Sequence, residues 1–360
     1  MKNTFGESIT LTLYGESHGG AIGAVLDGLA PGIAVDEDLI RYQLTLRRPV
    51  GKISTPRAEE DPFVIESGVF NGYTTGAPIC IRIPNGDTRS ADYEPRGARP
   101  GHADFAAFCK YHGFEDYRGG GHFSGRLTAA VVAAGAILIG ALRQKGVQIG
   151  THIASIGGVS DRGFDNLAED IAGLNQEVFA VLDKSKAAAM QEEILSAKAA
   201  GDSIGGVLES AVIGLPAGVG EPFFDSLESR IAHVLFSIPA VKGVEFGDGF
   251  ALAKMRGSAA NDPMENKDGA VCLQSGHAGG VFGGISVGAP LLVRAAVKPT
   301  PTIGREQATV SLPDLANVTL AGKGRHDPCI VHRARVVADS MIALALADLL
   351  ALRFGTDWMA

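Results

Sequence analysis

Cysteine is scarce in this sequence: four in 360 residues, at Cys80, Cys109, Cys272 and Cys329, with no CxxC pair. That spacing excludes a disulfide scaffold and predicts reduced thiols in a cytoplasmic protein. Positive charge is not in excess either. The net charge is −8, and residues 160–235 account for it with 13 acidic against five basic side chains. A balanced remainder offers no cationic cluster for nucleic acid. Long apolar runs are also missing. The longest, residues 127–142, contains two glycines and falls short of the ~20 residues that span a bilayer, so no membrane insertion is expected. The first seven residues hold no apolar h-region, so no signal peptide is visible. The nine histidines show no HExxH or other metal-ligand spacing, and no metal is expected. Neither GxxxxGK[ST] nor GxGxxG occurs, which excludes the two common nucleotide fingerprints.

Glycine, by contrast, is abundant: 48 residues, in a chain that is 46% apolar. The apolar share is that of an ordinary globular core, and no G-X-Y period is present. So many glycines in a folded chain imply tight turns and close backbone approaches. No low-complexity linker places a boundary, so the length reads as two domains or as one large one over residues 1–360. Short β-type runs bounded by Gly, Pro, Asn or Asp recur at residues 9–13, 22–26, 63–65, 79–81, 147–153 and 291–297. Helices are predicted over 104–111, 124–145, 184–199, 222–236 and 334–352, with Ser124 as an N-cap and Pro222 in a first turn. Together these predict a mixed α/β (α+β) fold. Ile22-Gly23-Ala24-Val25-Leu26-Asp27 is echoed by Ile204-Gly205-Gly206-Val207-Leu208-Glu209, each before a Gly- and Pro-containing turn. The echo reads either as a duplicated unit or as chance similarity between Gly-rich strands.

Four glycine-rich turns carry charged or imidazole groups. Gly15-Glu16-Ser17-His18-Gly19-Gly20 follows a strand, and His18 reads as a proton-transfer group or as a turn residue bonding a local carbonyl. In the turn at 96–104, His102 and Asp104 stand at a helix start beside Arg99; backbone amides and arginine there suit an anion, and simple capping is the other reading. Arg118-Gly119-Gly120-Gly121-His122-Phe123-Ser124-Gly125-Arg126 leads into a long apolar helix, the physics of a phosphate cradle, or of a flexible turn. Gly322-Lys323-Gly324-Arg325-His326-Asp327-Pro328-Cys329, followed by His332-Arg333, is a dense polar turn, or a solvated loop. Jointly they describe a metal-free site for a small polyanion bearing phosphate and carboxylate groups.

Taken in chain order, these segments resemble chorismate synthase. The likeness rests on Gly15-Glu16-Ser17-His18-Gly19, Arg99-Pro100-Gly101-His102-Ala103-Asp104, Arg118-Gly119-Gly120-Gly121, residues 237–247 and Gly324-Arg325-His326-Asp327-Pro328-Cys329, with further matches at 67–76 and 85–93, and it runs from about residue 5 to 350. The resemblance implies helices packed between two mainly antiparallel sheets, internal duplication with halves around 1–180 and 181–360, and a homotetramer. It implies a lyase of the shikimate pathway and aromatic amino acid biosynthesis, which eliminates phosphate from 5-enolpyruvylshikimate 3-phosphate in a 1,4-anti sense. That reaction needs reduced FMN without net redox change. His18 would protonate the leaving phosphate, His102 would act near the flavin N1, and Asp327 would help remove the ring proton with the Ser124 region. Arg47, Arg99, Arg126 and Arg325 would bind substrate. FMN contacts map onto His122, Phe123, Ser124, Pro239, Ala240, Gly283, Lys298, Pro299, Thr300, Pro301, Thr302 and Arg325. NAD(P)H enters only as a source of electrons for the flavin, and a length of 360 without a large insertion predicts reliance on an external flavin reductase.

The sequence departs from the family pattern in places. His122 stands where the family has arginine and Leu127 where it has glutamate, which suggests that a family ion pair is replaced here by an apolar contact. Val50 replaces a glycine, and the second basic role after Arg47 falls to Lys52 or Arg57. These departures motivate a second reading, a non-catalytic flavin-binding paralogue. Retention of His18, His102 and Asp327 favours the enzyme.

Overall fold

The computed structural model describes residues 2–55, 60–86, 97–322 and 326–360. The first part of the chain holds β1 (Thr4–Phe5), β2 (Thr10–Gly15), β3 (Ala21–Asp27), β4 (Val64–Ser67), the short pair β5 (Val69–Phe70) and β6 (Tyr73–Thr74), and β7 (Ile79–Pro84). Five of these form an antiparallel sheet in the order β1-β2-β3-β7-β4. Period-two patterning fixes its register: Ile22, Ala24 and Leu26 of β3 pair with Ile83, Ile81 and Ile79 of β7, and all six are buried on one face.

The second part holds β8 (Gln148–Ile156), β9 (Val159–Ser160), β10 (Gly206–Ile213) and β11 (Val241–Phe246). Two small hairpins follow, β12 (Met264–Lys267) with β13 (Ala270–Leu273) and β14 (Val281–Phe282) with β15 (Ile285–Ser286); then come β16 (Leu291–Val297) and the hairpin of β17 (Glu306–Val310) and β18 (Asn317–Ala321). Its main sheet is again antiparallel, ordered β11-β16-β10-β8-β9. The order β2-β3-β7-β4 in the first sheet thus repeats as β8-β10-β16-β11 in the second. Each has a register shift on its last strand pair, β4 with β7 and β11 with β16. The first echoed segment lies on β3 and the second leads into β10, the central strand of each sheet.

The helices are α1 (Glu37–Arg47), α2 (Asp104–Tyr111), α3 (Thr128–Gln144), α4 (Leu167–Leu174), α5 (Lys186–Ala199), α6 (Leu227–Ser237), the short α7 (Gly257–Ala260) and α8 (Val331–Phe354). α3 packs on β3, β7 and α8; α8 packs on β8 and β10; α1 and α6 flank them. The helices therefore form a middle layer between the two sheets, as the resemblance implied. A helix covered on all sides is apolar on all sides. This explains why residues 125–144 have the length and composition of a membrane span while 83% of their most apolar 18-residue window is buried inside the protein. Where α3 crosses α8, a Cβ on Gly135 would lie 2.3 Å from Ser340 Cβ, so only glycine lets the two backbones approach this closely.

Two predicted helix starts shift. α3 begins at Thr128, because the glycine turn continues through 3-10 turns at Arg118–Phe123 and Gly125–Leu127, and Ser124 Oγ caps the second by accepting from Arg126 N at 3.3 Å. α6 begins at Leu227 rather than Pro222, with Ser226 Oγ accepting from Ser229 N at 3.0 Å.

Candidate active site

A cleft of about 1040 Å³ opens beside the helix layer. Its walls come from the start of α2, the turn before α3, the segment joining α6 to β11, the exit of β16 and the start of α8. The volume is at the upper end of small-molecule sites and gives room for more than one ligand. Arg47, His102, His122, Phe123, Ser124, Arg126, Pro239, Ala240, Lys298, Thr300, Pro301, Thr302 and Asp327 all line it. His18, Arg99, Gly283 and Pro299 do not. Gly283 sits in the β14–β15 turn, which Gly284 holds against Glu221 and Ser226. Pro299 packs under Gly205. Arg325 and Arg57 lie outside the described residues; Lys52 is exposed, and its carbonyl accepts from Lys198 Nζ at 2.6 Å.

His102 is held by a carboxylate. Its Nδ1 lies 2.8 Å from Asp104 Oδ1, and Arg99 grips the same carboxylate through Nε at 2.8 Å and Nη2 at 2.7 Å. Burial alone would raise the Asp104 carboxyl, but the bonds from Arg99 and His102 outweigh it and keep Asp104 ionised far below the usual range. An ionised Asp104 can only accept, so it favours the tautomer with the proton on His102 Nδ1 and leaves Nε2 without that contact. Arg99 thus reaches the site through the Asp104 carboxylate that also holds His102.

The three glycines explain how His102 and His18 come together. All have positive φ, at 60°, 83° and 52°. A Cβ on Gly119 would lie 2.6 Å from His18 Nε2, and one on Gly120 would lie 3.2 Å from His102 Cε1. The turn is thus a close-fitting spacer between two imidazoles, not a flexible loop. Ser17 N donates to Gly121 O at 3.1 Å, which fixes the His18 turn to it. The string Gly15-Glu16-Ser17-His18-Gly19 has the GxSxG spacing of a nucleophile elbow, but it joins β2 to β3 instead of leading into a helix, and Ser17 is fully buried.

The floor is cationic. Arg126 donates through Nε to Asn85 Oδ1 at 3.0 Å, through Nη2 to Pro84 O at 3.2 Å and through Nη1 to Asp61. Arg47 donates to Asp61 Oδ2 at 3.1 Å and to Thr128 Oγ1 at 3.3 Å. Asp327 accepts from Thr55 N at 2.8 Å and from Arg333 Nη1, and Arg333 Nε donates to the Arg47 carbonyl at 2.9 Å. Behind them His332 Nε2 meets Ser54 Oγ at 2.8 Å; burial pushes this imidazole down to about 3, so it stays neutral. Asp61 and the lining residue Arg333 carry no role in the resemblance. Arg333 had a signal, its place in the polar turn after Asp327, whereas Asp61 had none.

His122 Nδ1 meets the Gly15 carbonyl at 2.8 Å, and Leu127 is 5% exposed in the core. His122 thus has a polar backbone partner instead of the apolar contact expected. Lys298 Nζ donates to the Gly101 carbonyl at 2.5 Å, tying the exit of β16 to the His102 turn. Thr300 Oγ1 is buried with no hydrogen-bond partner among the described residues. An orphaned hydroxyl, an aromatic edge at Phe123 and nearby cations form a donor set that fits a planar, anionic cofactor such as FMN.

The family model described as "Chorismate synthase" matches residues 9–351. A chorismate synthase of Dehalococcoides mccartyi is 44% identical over 99% of this chain and 98% of its own. One from Thermococcus kodakarensis is 45% identical over 98% of this chain and 99% of its own. A solved structure titled "Crystal Structure of Chorismate Synthase" aligns with a TM-score of 0.76 at 28% identity, covering 98% of this chain and 94% of that one. Likeness of sequence over the full length and likeness of fold agree, and the chain belongs to the chorismate synthase family, lyases of the shikimate pathway.

Proposed function

We propose that this cleft carries out the family's 1,4-anti elimination of phosphate from 5-enolpyruvylshikimate 3-phosphate, with the residues above in stated roles. The observation that carries this reading is the meeting of His102–Asp104, the glycine spacer with His18, and Asp327–Arg333–Arg47 from distant parts of the chain. In the reaction the C–O bond to phosphate breaks, a ring C–H bond gives up its proton, and the electron pair left behind forms the new double bond of chorismate. Arg47 and Arg126 on the floor, with Arg333 beside them, suit a substrate with one phosphate and two carboxylates. Arg325 joins them by resemblance alone. His18, which packs on the glycine turn outside the cleft lining, takes the role of general acid to the leaving phosphate by resemblance. His102, oriented by Asp104, would hold a proton toward the reduced flavin, as the resemblance implies. Asp327, oriented by Thr55 N and Arg333, assists removal of the ring proton.

Reduced FMN, when bound, supplies electron density to the substrate and recovers it, so the reaction has no net redox change. His122, Phe123, Ser124, Pro239, Ala240, Lys298, Thr300, Pro301 and Thr302 would hold it. An external reductase, using NAD(P)H, is its proposed source. We assign the reaction to the cytoplasm, in line with four free cysteines. A homotetramer is proposed as well; the exposed Phe223, Phe224 and Phe250 supply apolar surface for subunit contact. The repeated strand order supports the internal duplication.

The test is an anaerobic assay with 5-enolpyruvylshikimate 3-phosphate and chemically reduced FMN, following chorismate and free phosphate. Equal release of both is expected. No product while FMN remains bound would instead identify a non-catalytic paralogue. Asp327→Asn is expected to slow turnover by about 10²-fold or more with FMN affinity retained. Loss of FMN binding would give Asp327 a structural role.

A further inference from the structure

Asp61 lies beneath the cleft, between β4 and the segment that follows α1, and no sequence motif points to it. Its side chain is fully buried, and its backbone sits at φ 49°, a left-handed conformation that a non-glycine residue adopts with some strain. One carboxylate oxygen accepts from Arg47 Nη2 at 3.1 Å and the other accepts from Arg126 Nη1. The two arginines arrive from α1 and from the turn before α3, 79 positions apart in sequence numbering (47 to 126), and both line the cleft. Burial alone would raise the Asp61 carboxyl, but the Arg47 and Arg126 guanidiniums outweigh it and hold it below the usual carboxylate range. Burial also pulls the Arg47 guanidinium down to about 10, with Asp61 opposing that fall.

One carboxylate between two guanidiniums has two consequences. It fixes their separation, one oxygen to each, where two bare cations would repel. It also offsets one of the two charges, so the trio presents a single net positive charge to whatever occupies the cleft. We propose that Asp61 is the positioning residue of the substrate floor: it sets the spacing of Arg47 and Arg126 and the amount of positive charge that they offer to an anionic ligand. This inference rests on the elimination assigned above and deepens it, because the ligand groups concerned are the phosphate and carboxylates of that substrate.

A purely structural ion pair and a positioning residue differ in what its removal does to anion binding. Asp61→Asn keeps the side-chain volume and removes the charge. With the fold intact, inorganic phosphate should bind the purified variant about three- to tenfold more tightly than wild type, because a charge is uncovered. Over the same change kcat/KM for 5-enolpyruvylshikimate 3-phosphate should fall by about 10–10²-fold, because the spacing is lost. Asp61→Glu restores the charge but shifts its reach by one methylene; it should return phosphate affinity to the wild-type value while kcat/KM stays depressed. Unchanged or weaker phosphate binding in a folded Asp61→Asn protein overturns the inference. If that variant does not fold, Asp61→Glu decides alone, and wild-type kcat/KM in it overturns the inference. Failure of the wild-type protein itself to release chorismate would instead sink the functional reading, and the phosphate comparison would stand independently of it.

Discussion

The glycine spacer gives the sharpest test of how the fold positions chemistry. Gly119 has φ 60°, and a Cβ there would lie 2.6 Å from both Cδ2 and Nε2 of His18 and 2.9 Å from Ser17 Oγ. Carbon contacts are comfortable at about 3.5–4.0 Å, so in Gly119→Ala the His18 ring must move by about 1 Å. The left-handed backbone adds about 1–2 kcal/mol for a residue with a Cβ. Displacing the proposed general acid by that distance is expected to lower kcat by about 10²-fold. Gly32→Ala separates the two effects. Its φ is 92°, so it too puts a Cβ on a positive-φ backbone, but nothing lies within 4 Å of that Cβ. Both variants should melt a few degrees below wild type, for about 1–2 kcal/mol each. Only Gly119→Ala should lose turnover in the anaerobic assay. Equal kcat in the two variants would refute the reasoning, since backbone strain would then account for everything and the turn would not be holding His18 in place.

Further outcomes follow from groups outside the cleft. His152 is buried between Asp161, 2.9 Å from Nδ1, and Glu209, 3.0 Å from Nε2. Burial alone would lower its pKa, but these two acids outweigh it and raise it, so the stability it contributes is full below about pH 6.5 and fades as pH climbs through the raised value. His152→Gln should cost about 3–5 kcal/mol at pH 6. The gap to wild type in urea unfolding should narrow toward pH 9, and parallel curves would contradict the assignment. Cys329 is fully buried and burial pushes its thiol up to about 12, while Cys109 is exposed. A thiol reagent at pH 8 should therefore modify Cys109 in the native protein and reach Cys329 only after unfolding. Rapid native modification of Cys329 would show that the start of α8 opens.

Local chemistry was legible wherever one segment decides its own conformation. Apolar runs closed by glycine or proline marked β3, β7, β8 and β16, because a strand with one face buried needs only its own alternation. The long helix α8 was legible to within a few residues at each end for the same reason. α1 was missed despite a genuine cap, Asp36 Oδ1 accepting from Leu39 N at 3.0 Å, because its buried set of Ile40, Leu44 and Leu46 is short and flanked by charge. The glycine turn at 119–121 was visible as a turn, but its purpose was not: each glycine is required by an atom of another segment, among them His18, His102 and the Asp116 carbonyl.

By itself, then, the sequence determined the mixed α/β class, six of the strands, five of the helices and, through its rare motifs, the family. Only the tertiary structure decided which of those residues meet. It paired Arg99 with Asp104, gave His122 the Gly15 carbonyl, and put Asp61 between two arginines. The physical reason is one of range. Periodicity, caps and turn residues act over a few positions along the chain, whereas a buried charge is acceptable only where partners supplied by other segments neutralise it, and those partners adjoin only after the two sheets have closed on their helices.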